Sequence, residues 1–336
     1  MMEQFNGSNS IAVKEHNIRL VRRILRSKHL ATKQQIAETA GLSTVTVGTI
    51  LQQLAENGEV FEADTAASNG GRPARTYRFN GDHAHVLVLF TQERNRQDMM
   101  YMRVANLFGE CIDSGDLPLP GHLQIDSFIP HITCMLEKWP SIRAIGFGLP
   151  GVELNGMIAA LDYSSLVGFS LTGFYREQFG LPVLLENDVN AAVAGYCRRN
   201  SCGEDGTTVY LFFPQNHGPG AGICIGGTLY RGFTNSAGEI GFLPLGIDWH
   251  DYSIYGNFRR TCGAVSKAVI SVSGILNPER VILHGEFLTE SHMNQIRRNC
   301  GKTLPEQFLP EISCSPDFTL DYQSGMIGET LELVQG

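Results

Sequence analysis

Residues 70–80, with the sequence GGRPARTYRFN, decide how the first part of this chain is interpreted. The two glycines allow positive backbone angles and a close approach to phosphates, and Pro73 stiffens the chain after them. Arg72 and Arg75 then flank a tight turn, where a planar guanidinium can clamp a phosphate or enter a narrow minor groove. Taken alone, the stretch is also typical of an ordinary surface loop. Its meaning depends on the segment before it.

That segment has the pattern of three helices. Apolar side chains recur at helical spacing in two stretches. They are Ile18, Val21 and Leu25 in the first stretch, and Val47, Ile50, Leu51 and Leu54 in the second. Between the stretches, Thr32 and Gln35 have the form of a capping box, and Gly41 supplies the glycine of a tight turn between helices. The pattern predicts a winged helix-turn-helix, and a plain three-helix bundle with a solvated face is the alternative.

The last of these helices carries residues suited to face DNA. A serine precedes it as a cap, and its first turns hold polar, uncharged threonines, which suit phosphate positioning and groove contact. The predicted DNA-binding residues are Ser43, Thr44, Thr46, Thr49, Arg72 and Arg75.

Charge divides the chain in the same way. Residues 1–80 hold ten Lys and Arg against seven Asp and Glu, a net charge of +3, while residues 81–336 hold 16 against 27, a net charge of −11. An acidic body is repelled by a phosphate backbone that attracts the basic segment. We therefore expect salt-sensitive DNA contact that is confined to residues 1–80.

Bulk composition excludes several classes of protein. The 336 residues, 43% of them hydrophobic, are enough for a small domain and a large one, so a disordered chain is excluded. A membrane span and a secretory signal are not expected, because no run of ~18 apolar residues occurs and the first ten residues are polar. The eight cysteines include no Cys-x-x-Cys pair, which favours reduced thiols in a cytoplasmic protein.

The rest of the chain has the pattern of an α/β protein with polar turns after its strands. Residues 84–90 and 99–104 predict a hairpin, and residues 142–147 predict a strand that ends in the turn 148–151. A further strand, 182–185, runs into Glu186, Asn187 and Asp188. Open α/β sheets bind ligands at the carboxyl ends of their strands, and such polar groups are costly to bury without partners. Either a ligand site or a hydrogen-bonded turn is predicted there.

At this point the chain resembles the ROK family of bacterial repressors, open reading frames and sugar kinases. The resemblance covers nearly the whole chain and rests on several motifs in order. They are LSTVTVGTILQQLAENGEV (42–60), GGRPARTYRFN (70–80), IGFGLPG (145–151), PVLLENDVNAAVAGY (182–196), GPGAGICIGGTLYRG (218–232), AGEIGFLPLG (237–246), NPERVILHGEF (277–287) and GMIGETLELV (325–334). It implies a winged helix-turn-helix at residues 1–80, followed at residues 81–336 by a shortened, two-lobed body of the actin-like ATPase (ribonuclease H-like) fold.

The resemblance also implies a ligand site. Asn187, Asp188 and Glu239 match sugar-binding positions, with Asp188 at the place of the kinase general base, and Gly151 allows the backbone to approach the sugar. A carboxylate can accept hydrogen bonds from vicinal hydroxyls, or deprotonate one of them. For Asp188 a plain helix N-cap is the alternative.

The chain departs from the kinase pattern at both phosphate loops. Where family kinases have Asp-x-Gly-Gly-Thr, residues 86–97 read VLVLFTQERNRQ, and the second loop reads Asn216-His217-Gly218 in place of Gly-Thr-Gly. Side chains with a Cβ keep backbone amides away from a phosphate, so we expect no kinase activity, no catalytic residue and no cofactor.

The zinc site of the family is also missing. Phe242 stands at the position of a zinc-binding histidine, and the downstream cysteine cluster is absent, so no metal is expected and Cys262 is assigned to core packing. Several sugar contacts disappear with this loop, and the pocket is expected to bind a different ligand or none.

The leading hypothesis is a transcriptional regulator, a repressor, that binds an operator in double-stranded DNA as a homodimer or homotetramer. Its body, with lobes at about 81–185 and 186–336, would sense a carbohydrate or derivative without catalysis. An active sugar kinase and a DNA-bound regulator without an effector are the alternatives. The operator and the effector cannot be named from the sequence.

Overall fold

The computed structural model describes residues 4–63, 75–94, 97–119, 123–161, 163–203 and 205–335. Its N-terminal elements, which we call the head, are helices joined to a small antiparallel sheet with the strand order β1-β3-β2. They are α1 (Gln4–Lys28), β1 (Leu30–Thr32), α2 (Lys33–Ala40), α3 (Thr44–Glu56), β2 (Val60–Ala63) and β3 (Thr76–Phe79). The turn that would join β2 to β3, with Arg72 in it, lies outside the described residues.

Local capping sets the limits of α2 and α3. The Thr32 hydroxyl accepts from the Gln35 amide at 3.2 Å while the Gln35 side chain accepts from the Thr32 amide at 2.9 Å, so the expected capping box is present. Gly41 ends α2 in the left-handed region, with φ of 64°, where a residue without a Cβ is favoured. The Ser43 hydroxyl then accepts from the Thr46 amide and starts α3. These two caps and the glycine hold α2 and α3 in a tight helix-turn-helix arrangement.

The interior of the head contains the apolar residues expected from helical spacing. Val21, Leu25, Leu51 and Leu54 are fully buried, and the remaining predicted positions belong to the same core. One charged residue, Glu59, is buried beside them and accepts from Arg22 Nε at 2.6 Å and Arg22 Nη2 at 2.8 Å. Burial acts to raise the pKa of the Glu59 carboxyl, but the Arg22 guanidinium outweighs it and holds that pKa below its usual value. This ion pair fastens α1 to the beginning of β2.

The body, residues 81–335 as described, starts with a five-stranded mixed sheet in the order β10-β7-β4-β5-β6. Strands β4, β7 and β10 are parallel, whereas β4, β5 and β6 form an antiparallel meander that includes the expected hairpin. The elements are β4 (His85–Arg94), β5 (Gln97–Asn106), β6 (Cys111–Pro118), α4 (Ile129–Lys138), β7 (Ile142–Leu149), β8 (Gly151–Leu154), β9 (Met157–Leu161), α5 (Leu171–Phe179) and β10 (Val183–Asn187). Sequence patterns did not indicate the β8–β9 hairpin, which follows β7 directly after Pro150.

A second five-stranded sheet follows, in the order β13-β12-β11-β14-β15. Strands β11, β14 and the edge strand β15 are parallel, and β12 and β13 are antiparallel additions at the opposite edge. The elements are α6 (Asp188–Arg199), β11 (Thr207–Phe212), β12 (Gly220–Ile225), β13 (Thr228–Leu229), α7 (Phe258–Leu276), β14 (Arg280–His284), α8 (Glu290–Thr303), β15 (Glu311–Cys314) and α9 (Phe318–Gln335). Cys262 on α7 is buried in the core of this part, as expected.

Helices α6 and α9 pack against each other between the two sheets. They cross at Gly195 and Gly325, where an added Cβ would collide with the carbonyl oxygens of Asp321 and Ala191 respectively. Helix α9 also packs on β4 and β7 of the first sheet. The last helix of the chain therefore contacts both halves of the body.

A turn of the body contacts the head. Phe108, in the turn after β5, lies 4.5 Å from the His29 ring and 5.7 Å from the Phe79 ring, measured between centroids. The Asn106 side chain accepts from the backbone amides of Phe108 and Glu110 and so fixes the shape of the turn. On its other side Gly109 borders Ile327 and Leu331 of α9. The turn thus lies between the head and α9.

Candidate functional site

Helix α3 and its cap carry four of the predicted DNA-binding residues, Ser43, Thr44, Thr46 and Thr49, on the face that points away from the core of the head. Thr44 and Thr49 are exposed, and the Thr49 hydroxyl donates to the Val45 carbonyl. Ser43 and Thr46 are joined by a hydroxyl–hydroxyl hydrogen bond of 2.9 Å at the cap. Val45, which the sequence pattern did not single out, is 77% exposed on the same helix. This face offers hydroxyl groups and one apolar side chain to a partner.

Arg75 lies immediately before β3. Its guanidinium donates to both carboxylate oxygens of Glu62 on β2, at 3.2 and 3.3 Å, and both side chains are exposed. Exposed pairs of this kind contribute little stability. The ion pair places Arg75 at the edge of the small sheet.

The body contains a cleft of about 1340 Å³ at the carboxyl ends of strands from both sheets. Gly151, Asn187, Asp188 and Glu239, which we call the ligand end, all line it. Residues 91–93 and 216–218, which we call the phosphate end, line the same cleft. All the sequence-predicted ligand residues are therefore brought together, and so are the two altered phosphate loops.

At the ligand end, Asn187 and not Asp188 is the N-cap of α6. The Asn187 side-chain oxygen accepts from the amides of Val189 and Asn190, and its nitrogen donates to the Gly151 carbonyl at 3.4 Å. Asp188 is the first residue of the helix and accepts from the Val189 amide at 2.9 Å. The capping alternative considered for Asp188 is thus met by its neighbour, since the preceding residue is the one with extended backbone angles.

Glycines place the other side of the ligand end. A Cβ at Gly222 would collide with the Val189 carbonyl, so this glycine lets β12 approach the first turn of α6. Gly238 has φ of 99° and packs against the Ala221 carbonyl, and this backbone conformation puts the exposed Glu239 at the rim of the cleft. The glycine-rich stretch 218–222 therefore serves close packing here.

At the phosphate end, side chains that follow a strand of one sheet contact a side chain on a strand of the other sheet. The Asn216 side chain donates to Glu93 at 2.5 Å, and His217 Nε2 lies 3.5 Å from the other Glu93 oxygen. The residue before Glu93 on β4 is Gln92, and its side-chain oxygen accepts from the Thr319 hydroxyl of α9. Nearby, burial raises the pKa of the Asp98 carboxyl and the Glu93 charge raises it further, with His217 acting in the opposite direction. Side chains thus occupy the region where both loops face each other.

The lining of the cleft is acidic. Among the described residues it includes carboxylates but no lysine or arginine. The carboxylate residues are Glu93, Asp98, Asp188, Glu239, Asp248 and Glu286. A negatively charged ligand is repelled by such a lining.

Three buried polar atoms of lining residues have no hydrogen-bond partner within the described part of the chain. They are Thr91 Oγ1, Asn190 Oδ1 and Trp249 Nε1, and each belongs to a residue that is at least 96% buried. Buried polar groups are normally paired, so an internal water or a rearrangement of the lining would be needed to pair these atoms. Trp249 had no sequence signal, because it lies in the shortened loop that has no recognisable motif.

The described part of the chain contains no cluster of metal-binding side chains, and this includes the region that corresponds to the zinc loop of the ROK family. No group of three or more His, Cys, Asp or Glu side chains there could hold an ion. Phe242 is 87% exposed at the border of the cleft. Of the helices that the structure describes, none is long and apolar enough to cross a membrane.

Comparison with known proteins finds a family match within the body. Residues 124–264 match the model of the ROK family. The chain is 24% identical over 299 residues to the xylose repressor of Bacillus spizizenii, covering 84% of this chain and 74% of that protein. It is 26% identical over 260 residues to the DNA-binding transcriptional dual regulator NagC of Escherichia coli, covering 73% of this chain and 61% of the relative.

Solved structures with the same fold include regulators and kinases. A ROK family transcriptional regulator, a homologue of the Escherichia coli MLC protein, superimposes with a TM-score of 0.72 at 15% identity and covers 96% of this chain and 98% of its own. The ROK hexokinase of Thermus thermophilus gives a TM-score of 0.61 at 18% identity and covers 75% of this chain and all of its own. The chain accordingly shares with these structures the α/β, sugar-kinase-like fold with mixed sheets that the resemblance implied.

Proposed function

We propose that this ROK chain is a DNA-binding transcriptional repressor whose body senses an uncharged carbohydrate and does not phosphorylate it. The observation that carries the proposal is the contrast between the exposed hydroxyl face of α3 and the self-bonded phosphate end of the cleft. The repressors of xylose and N-acetylglucosamine operons among its relatives, by their names, point in the same direction.

The head supports DNA binding through shape and chemistry. In a winged helix-turn-helix the second helix of the motif enters the major groove, which here would be α3. Thr44 and Thr49 then reach phosphates or base edges, and the exposed Val45 meets a thymine methyl group. Arg75 would exchange its exposed partner Glu62 for a phosphate, with Arg72 beside it in sequence. The net charge of +3 on residues 1–80 favours the same surface.

The phosphate end argues against kinase activity. Phosphoryl transfer depends on donors that are preorganised around the γ-phosphate and on compensation of its charge. Here Glu93 accepts from Asn216 and lies beside His217, and Asp98 adds a second carboxylate nearby. A nucleoside triphosphate would have to break the Asn216–Glu93 hydrogen bond, and its phosphates would then be repelled by the carboxylates of Glu93 and Asp98. Asp188 matches the position of the general base in the family's kinases. We infer that it does not deprotonate a sugar hydroxyl for phosphoryl transfer in this chain.

The ligand end supports sensing. Asp188 and Glu239, which line the cleft, offer carboxylates to sugar hydroxyls. Because the described lining includes no cation, an unphosphorylated sugar fits better than a sugar phosphate. We propose residues 1–80 as the DNA-binding domain and residues 81–336 as the sensor, assembled as a homodimer or homotetramer so that two heads meet two half-sites.

Footprinting with full-length protein on DNA from around its own gene tests the proposal. We expect a protected, inverted-repeat site, lost in Thr44→Ala/Thr49→Ala and retained in the control Thr319→Ala, which alters a body hydroxyl. A parallel assay of ADP formation with ATP and a panel of hexoses and pentoses should stay at background. Turnover that disappears in Asp188→Ala would favour the kinase alternative, and footprints that no sugar affects would favour a regulator without an effector.

A further inference from the structure

A buried ion-pair cluster lies directly behind the ligand end. Glu186, at the end of β10, is 4% exposed, and one of its oxygens accepts from the Asn187 amide at 2.9 Å and from the Asn190 side chain at 3.1 Å. Its other oxygen accepts from Arg231 Nε at 2.8 Å and Nη2 at 2.6 Å. Glu186 thus holds the backbone and side chains that shape the ligand end, and Arg231 holds Glu186.

Arg231 also reaches the last helix of the chain. Its Nη2 donates to Glu329 on α9 at 2.9 Å, and the other Glu329 oxygen accepts from Arg198 on α6 at 2.9 Å. The Arg198 guanidinium packs directly on α9 at Gly328, where an added Cβ would collide with it. Glu329 therefore joins the loop of Arg231, helix α6 and helix α9 at one point.

From that point α9 continues to the head. Two residues beyond Glu329, Leu331 borders Gly109 in the turn whose Phe108 packs on His29 and Phe79. Glu332 acts to raise the pKa of Arg26 on α1, against the larger lowering by burial, so these two charges are close enough to interact. At Gly195 and Gly325 the backbones of α6 and α9 are so close that neither position has room for a Cβ. A shift of α6 toward α9 would therefore press directly on α9.

We propose that Arg231 is a positioning residue for the ligand end and that Glu329 couples this end to the head through α9. This inference rests on the proposed function, since it needs a ligand in the cleft and DNA at the head. Neither residue needs to touch the ligand. A ligand that shifts Asn187 or Asp188 displaces Glu186, the displacement alters the Arg231–Glu329 bond, and α9 transmits it to the Phe108 turn.

The test uses the full chain with two conservative variants. Glu329→Gln keeps the shape but removes the charge, and Arg231→Lys keeps the charge but cannot bridge two carboxylates with a planar fork. Arg280→Gln is the matched control, since Arg280 has similar exposure to Arg231 and also faces two carboxylates, Glu279 and Glu311, at the far edge of the second sheet. Circular dichroism melts establish that each variant is folded.

Hydrogen exchange without any ligand gives the first result. Amides of residues 187–190 and of residues 327–334 should both exchange about tenfold faster in Glu329→Gln and Arg231→Lys, which corresponds to a loss of ~1.4 kcal/mol of local stability, and should be unchanged in Arg280→Gln. Acceleration that stays within residues 187–190, or that is absent, overturns the proposed coupling whether or not the protein binds DNA.

Operator affinity, with and without D-xylose or N-acetyl-D-glucosamine as the probe, gives the second result. The sugar-dependent change in affinity seen for the wild type should fall toward none in Glu329→Gln, because the sugar no longer reaches the head. An equal response in wild type and Glu329→Gln overturns the inference and leaves the proposed function intact. A wild type that binds no operator contradicts the proposed function, and the exchange result still decides the coupling.

Discussion

Helix α3 of the head and the phosphate end of the cleft both present polar side chains, but to different partners. On α3, Thr44 and Thr49 are exposed, and the Thr49 hydroxyl donates to the Val45 carbonyl within the same helix. At the phosphate end, Glu93 and Asn216 join the two sheets to each other. The difference teaches that similar residue types can remain exposed in one region and tie two sheets together in another, depending on whether their partners lie within the chain.

The first prediction tests the head by removing the buried ion pair between Arg22 and Glu59. Glu59→Gln leaves Arg22 without its buried carboxylate and should lower the free energy of unfolding by about 1.5 to 3 kcal/mol at pH 7. Since the pKa of Glu59 is lowered in the folded protein, its contribution is fully present above about pH 4.5 and is lost as pH falls through the folded pKa. Urea unfolding at pH 7 and pH 4 measures both effects.

Glu38→Gln is the control for that experiment, because Glu38 is exposed and accepts only from Gln34 within α2. It should change stability little at either pH. Equal losses in the two variants would mean that the Arg22–Glu59 pair does not hold the head together.

The second prediction concerns the partner of the head. Arg72→Ala/Arg75→Ala should weaken operator binding roughly 10- to 100-fold and reduce the slope of log affinity against log salt by about 1.8, the value for two lost phosphate contacts. Fluorescence anisotropy at several salt concentrations measures both quantities. Arg298→Ala, which changes an exposed arginine of the body, is the control and should behave as wild type does. Binding unchanged in the double variant would remove this turn from the DNA interface.

The third prediction concerns the ligand end. A sugar present at about 100 times its dissociation constant should stabilise the protein by roughly 2.7 kcal/mol, and the phosphate ester of the same sugar should bind at least about tenfold more weakly, because the described lining is acidic. Thermal shift with each pair of compounds is the measurement. Tighter binding of the phosphate ester would show that the carboxylates do not set the ligand class.

The smallest effect is expected at the phosphate end itself. Glu93→Gln weakens the contact with His217 while its amide oxygen can still accept from Asn216, and these side chains are partly exposed. It should cost under about 1 kcal/mol of stability and should not create ATP turnover. Chemical denaturation and an ADP assay check the two statements, and ATP hydrolysis by the variant would mean that Glu93 alone suppresses a working site.

Sequence reasoning went furthest where local rules decide structure. The capping box at Thr32, the turn at Gly41, the cap at Ser43 and the buried stripe of α3 follow from neighbouring residues, so they could be predicted without the rest of the fold.

Contacts between distant segments could not be predicted in the same way. The Glu93–Asn216 bond joins residues 123 positions apart, and the Arg231–Glu329 bond joins residues 98 apart. The alternative considered for Asp188 was the N-cap of α6, but Asn187 holds that position. The exact end of β10 decides which residue has the extended backbone of an N-cap, and the sequence did not determine that end. The β8–β9 hairpin was not predicted, because the sequence interpretation placed a turn at residues 148–151 and no strand in residues 152–161.

The most direct measurement is a titration of full-length protein into its footprinted operator, repeated with increasing unphosphorylated sugar and ATP present throughout. We predict that operator affinity changes with a saturable dependence on the sugar while no ADP forms. Operator affinity that no sugar alters, accompanied by ADP formation that requires Asp188, would contradict the account.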